Sequence, residues 1–139
     1  MKVLIATLSI ILLILLCSSQ SEIPDRVSFI KLLANPEDYH GKRVMVTGFL
    51  HLDFEDYGLY FSDEHGNYLN SESAFWVDFA KTVAVQDDKG KEVSIDALNR
   101  RYVMIIGVFN KDSNGHLGAF AGEIHSIEKV YQLKKWYND

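Results

Sequence analysis

The sequence predicts an all-β protein with short helices, arranged as a small five-stranded barrel. Three observations carry this. Residues 42–52 read Lys-Arg-Val-Met-Val-Thr-Gly-Phe-Leu-His-Leu and alternate around Val44 and Val46, just after a turn signal at His40-Gly41. Such alternation marks a strand with one buried face. A gapless echo sets Val44-Met-Val-Thr-Gly48 against Val103-Met-Ile-Ile-Gly107. Two long strands that each carry a glycine fit a tightly curved sheet, where glycine relieves crowding at the bend. Short apolar runs separated by turn residues fill the interval between them.

Taken in order, a helix is expected over 26–35, capped by Asp25. Val27, Ile30, Leu33 and Ala34 give it a stripe at helical spacing, widened by Phe29, and Asn35-Pro36 ends it. In the strand over 42–52, Val44, Val46 and Leu50 face inward. Met45, Thr47, Phe49 and His51 face outward, and a bend or bulge at Gly48 is expected to re-aim Phe49. Residues 53–58 read as a turn and 59–63 as a second strand. Residues 64–73 form a polar connection with a Gly66-Asn67 turn signal. The third strand, over 74–79, sets Phe75, Val77 and Phe79 against Trp76 and Asp78. Residues 83–86 extend it or stand alone. A charged loop follows over 87–91, then a short helix over 94–99. The fourth strand is expected over 102–109, a turn over 110–115, and the fifth strand over 117–127, with a tail that continues it as far as Leu133.

Composition narrows the class. Of 139 residues, 47% are hydrophobic and 24% charged, with eight Phe, seven Tyr and two Trp, which suffices for one ordered domain with a modest core. Residues 1–20 read as an export signal, with a basic lead at Lys2 and an apolar run from Val3 to Leu16. That run is short for a bilayer span, which needs about 20 residues. An uncleaved anchor or a buried helix is the alternative. Cys17, the only cysteine, ends the run in a way that resembles a bacterial lipoprotein signal, although Leu16 stands where that pattern wants a small residue. A lipid anchor at Cys17, or an uncleaved signal, would tie the protein to a membrane. The body over 21–139 holds no cysteine, so it forms neither an internal disulfide nor a thiolate metal site. Losing Lys2 takes the 14 basic residues to 13 against 19 acids, a net charge of -6. That balance argues against nucleic acid, whose binders rely on neutralising phosphates.

The element order, long strand, short strand, strand, short helix, strand, strand, resembles the oligonucleotide/oligosaccharide-binding (OB) fold, a five-stranded Greek-key barrel. Tyr39-His-Gly-Lys-Arg-Val-Met-Val-Thr-Gly-Phe49 looks like its first strand, and residues 102–107 look like its fourth. The resemblance covers about 36–130 and extends to uncharacterised exported bacterial proteins of this fold. It implies the barrel, with the 26–35 helix packed against it, and no activity, since one fold hosts many functions.

Candidate site residues follow from the aromatics near the second and third strands. Tyr57, Tyr60 and Trp76 are candidate contact rings, with Asp78 among the acids beside them and His116 after the 110–115 turn. Nucleic-acid-binding members of the fold carry stacking rings and cations in this region. Here Arg and Lys are missing from 50–80, while Asp53, Glu55, Asp56, Asp63, Glu64, Glu72 and Asp78 are present. An acidic aromatic face suits a sugar, a cationic group or a peptide better than phosphate. The competing nucleic-acid reading requires Lys42, Arg43, Arg100, Arg101 and Lys111 to form one basic track. His51 with Asp53, and His65 with Asp63, are possible chelating pairs, but no histidine spacing matches a zinc site. Asn110, Asp112 and Asn114 before Gly115 match the opening of a calcium loop, but Ala121 replaces its closing Glu, so a hairpin turn is the expectation. No catalytic residue, metal or cofactor is assigned. The function expected is a non-catalytic binding or assembly domain of the bacterial envelope, periplasmic or membrane-anchored, with a peptide, a protein or a glycan as its ligand.

Overall fold

The structure is a computed structural model and describes residues 23–79 and 83–135. The export signal and Cys17 lie outside the described residues. The described residues form seven strands and two α-helices: β1 (Asp25–Arg26), α1 (Phe29–Ala34), β2 (Arg43–Asp53), β3 (Asp56–Tyr60), α2 (Asp63–Asn67), β4 (Phe75–Val77), β5 (Ala84–Gln86), β6 (Arg101–Asn110) and β7 (Glu123–Gln132).

Five of the strands close a ring. β2 pairs antiparallel with β3, β3 antiparallel with β4, β4 parallel with β7, β7 antiparallel with β6, and β6 antiparallel with β2. This mixed closed barrel has the connectivity expected of an OB fold. β2 does most of the closing. It pairs with β6 from Arg43 to Leu50 and with β3 from Phe49 to Asp53. The expected inward set holds, since Val44, Val46 and Leu50 are fully buried and meet Leu59, Phe75, Ile105 and Ile124 inside. Burying each such side chain contributes about 1.5–3 kcal/mol. α1 closes one end by placing Phe29 and Leu32 in this core, with the Phe29 ring 4.8 Å from that of Phe75. The 3-10 turn Ile95–Leu98 adds Leu98. Asn99 then pins that turn to β2. Its side chain accepts from Leu52 N–H and donates to Leu52 C=O, both at 2.9 Å, copying a rung of sheet.

Several boundaries differ from expectation for local reasons. α1 starts at Phe29, because Ser28 caps it by accepting from Lys31 N–H at 3.2 Å. Asp25 is instead in β1, parallel to Val44 of β2. The second strand lies earlier than 59–63. The 64–73 connection contains α2, capped by the Ser62 side chain, which accepts from His65 N–H. The fifth strand starts at Glu123, because residues 111–122 fold back as a loop. Strand β5 pairs parallel with β7 rather than extending β4.

Phe49 and His51 do point away from the barrel interior, and no register shift occurs at Gly48. Both are nevertheless buried. Phe49 is covered by α2 at Gly66 and by the Tyr102 ring, 5.4 Å away. The expectation that Gly48 re-aims Phe49 is therefore corrected: the glycine serves close approach. A Cβ there would meet the Tyr60 carbonyl oxygen at 2.7 Å and Leu59 Cγ at 2.8 Å. Gly48→Ala should accordingly destabilise the fold by about 2 kcal/mol through overpacking at the strand crossing. Urea denaturation should show a lower midpoint with an unchanged slope.

Candidate functional site

The outer faces of β3 and β4 are where the candidate rings were expected to be open. Trp76 lies opposite Gly58 across the β3–β4 pair, pointing outward. The loop over 111–122 packs onto it. Gly115, at φ +62, lies so close that a Cβ would sit 2.6 Å from Trp76, and the Phe120 ring is 5.3 Å from the indole. The loop is held down by backbone bonds, Trp76 N–H to Gly122 C=O and Ala121 N–H to Ala74 C=O, both 2.9 Å. Phe49, Tyr60, Ala74 and Phe120, with Trp76 at the margin, form a second small core outside the barrel.

Tyr60 belongs to that core and is fully buried. As a contact ring it is corrected to a packing residue, since a ligand has no access to its face. Its hydroxyl donates to Asp56 Oδ1 at 2.8 Å, and Asp56 Oδ2 lies 2.5 Å from His51 Nδ1. This gives one buried His-Asp-Tyr network that satisfies the polar tips of side chains the loop has covered. Burial, then the hydrogen bond to Asp56, pushes the Tyr60 phenol well above the usual tyrosine range. Asp56 is therefore engaged internally, and so is His51, which points away from the barrel interior as expected but is covered from solvent.

The remaining candidates gather at the end of the barrel. Tyr57 is 41% exposed, with its ring centroid 5.8 Å from that of Trp76. His116 Nε2 lies 3.3 Å from Glu55 Oε2, which ties the 111–122 loop to the β2–β3 turn. Asp78 follows β4, half-buried, and its N–H donates to Ile124 C=O. The structure thus brings Tyr57, Trp76 and His116 to one end and withdraws Tyr60.

Two residues that sequence reasoning missed stand at the same place. Phe54 is 86% exposed and Leu117 is 90% exposed. They are neighbours in sequence to Glu55 and His116, whose contact ties the two turns that carry them. The backbone is left-handed at Glu55 (φ 60) and at Leu117 (φ 54). For a leucine that conformation costs about 1–2 kcal/mol, with no burial of its side chain to offset it. The signal was available as an aromatic and a leucine inside polar turns, Asp53-Phe54-Glu55 and His116-Leu117-Gly118.

The other sequence candidates separate. Asn110 accepts from Asp112 N–H through its side chain, and Asn114 Nδ2 donates to Phe120 C=O, so both serve the turn. Among the described residues, no group of three or more His, Cys, Asp or Glu is placed to hold a metal ion. The five cations proposed as one track do not line up. Arg43 makes a bidentate pair with Glu128 at 2.6 Å, and Lys111 contacts Glu37 and Asp112. Arg101 begins β6, with Arg100 just before it, whereas Arg43 pairs near the end of that strand, opposite Val108. Comparison with protein-family models, with curated proteins and with solved structures finds no match to this chain.

The Tyr60 network has a measurable pH signature. A raised phenol favours the protonated fold, so its stabilisation is complete below the unfolded value near 10 and is lost as pH climbs past it. In alkaline difference absorbance, one tyrosine should lag behind the rest, and Tyr60→Phe should remove that lagging step while costing about 1–2 kcal/mol of stability.

Proposed function

We propose that the chain is a non-catalytic OB-type binding domain whose partner is a protein, engaged through the tips of the β2–β3 turn and the 111–122 loop. The observation that carries this is the exposure of Phe54 and Leu117, both almost fully open to solvent on two turns tied together by the Glu55–His116 contact. Apolar knobs on rigid supports fit pockets on a partner surface, and such anchors dominate binding energy. The rings of Tyr57 and Trp76 extend the patch, and Asp53, Glu55 and Asp78 give it an acidic rim that favours a basic surround on the partner. A glycan or single-stranded nucleic acid is less well served, because the outer face of β3 and β4 is occupied by Phe120 and its loop, leaving no open row of rings.

The export signal read in residues 1–20 supports a partner in the bacterial envelope. The domain is then periplasmic, or held at a membrane if Cys17 is lipidated or the signal is retained.

A photo-crosslinking residue introduced at position 54 or 117 should trap the same envelope protein, and one at Ile30, on α1, should not. With that protein purified, Phe54→Ser together with Leu117→Ser should weaken binding about tenfold or more while leaving the melting temperature unchanged, since both side chains are exposed. Equal trapping from all three positions would overturn the reading.

A further inference from the structure

A second surface lies on the outside of β2 and β6. β6 occupies one edge of β2 along 43–50. The other edge is shared by β1, at Val44 and Met45, and by β3, from Phe49 onward. Between them, among the described residues, no strand pairs with 46–48 on that edge. A cleft of about 550 Å³ opens there, lined by Met45, Thr47, Met104, Phe61, Tyr102 and Arg26, with Arg26 opposite Met45 and Arg101 opposite Leu50 along β2. Tyr102 also lines an adjoining groove of about 670 Å³, where Arg100, Arg101, Lys134 and Lys135 face Asp63 and Asp88. Four cations against two acids form a local basic field on a chain whose net charge is -5.

We propose that the two grooves together bind an acidic peptide segment carrying apolar side chains, presented by a partner protein. The apolar cleft receives side chains, and its two methionines adapt to irregular shapes. Cations stand at both ends, Arg26 at one and the Arg100–Lys135 cluster at the other. A lipid with a single anionic head would use only one of these, whereas a peptide with acids flanking its apolar residues uses both. Single-stranded nucleic acid needs open ring faces. Here the Tyr102 ring packs against Phe49, with its hydroxyl 3.2 Å from Asp63 Oδ1, and the Phe61 ring packs against His65. Arg100 is steadied by its hydrogen bond to Asn67, while Arg101, Lys134 and Lys135 are exposed.

This surface uses none of the tip residues, so it is tested apart from them. The probe is a labelled peptide Asp-Glu-Phe-Asp-Glu-Leu-Asp, followed by fluorescence anisotropy on the purified chain, beside a lysine-substituted version, oligo-dT and phosphatidylglycerol vesicles. The acidic peptide should bind saturably and lose about tenfold in affinity between low salt and about 0.5 M salt. Arg101→Glu with Lys134→Glu should weaken it about tenfold or more at unchanged melting temperature. Met104→Glu should weaken it as well, and Phe54→Ser with Leu117→Ser should leave it intact. Absence of saturable binding, binding indifferent to the charge reversals, or tighter binding of oligo-dT or vesicles than of the peptide would overturn the proposal.

Discussion

The structure depends on one strand serving two neighbours. A five-stranded barrel is too small to curve evenly, so β2 hands its pairing from β6 to β3 near Gly48, with Phe49 and Leu50 in both ladders. Such a crossing brings backbones closer than a Cβ allows, and the Tyr60 carbonyl sits where that carbon would be. Gly107 plays the matching part in β6, where a Cβ would lie 2.8 Å from the His125 carbonyl oxygen. The echo between the two glycine-bearing runs is thus a shared geometric demand. Everything inside the barrel, from Val44 to Val130, is placed by where these two strands bend.

Bending has a second effect, on the outside. Past Gly48 the outward side chains of β2 are Phe49 and His51, neither suited to open solvent. The chain covers them with α2 and with the 111–122 loop, and the polar groups trapped by that cover are satisfied among themselves through His51, Asp56 and Tyr60. This cover takes the outer face of β3 and β4 away from any ligand. Exposed apolar groups appear instead where the covering loop and the β2–β3 turn meet.

Period-two elements were legible from sequence because one face of each is buried. Val44, Val46 and Leu50 announce β2, and Val103 and Ile105 announce β6. β7 was misplaced for a physical reason: its ladder with β6 shifts register between Ile106 and Val108, and Ser126 adopts φ +48. Its buried residues Ile124, Ile127 and Val130 are therefore spaced by three and do not alternate. α2 was hidden because Asp63-Glu-His-Gly-Asn67 has no apolar stripe, and it stays helical through its Ser62 cap and its packing on Phe49. Among the candidate residues, Tyr57, Trp76 and His116 were picked out by position and type, and the structure gathers them at one end of the barrel. Burial of Tyr60 could not be read that way, because it arises from a loop more than fifty residues later in the chain. The exposure of Phe54 and Leu117 was equally invisible, since an apolar residue in a turn is read as packed until the turn is seen to project.

β7 touches three other strands: β4 and β5 in parallel, and β6 antiparallel. Until residues as late as Gln132 are available, β4 and β6 are left with unpaired edges and the ring stays open. Folding therefore waits on the last strand of the barrel and runs through contacts distant in sequence, which is intrinsically slow. Until the ring closes, the edges of β4 and β6 are able to pair with other chains. A ring that cannot close before β7 is made leaves the partly made chain without Ile124, Ile127 and Val130, and so without a complete barrel core.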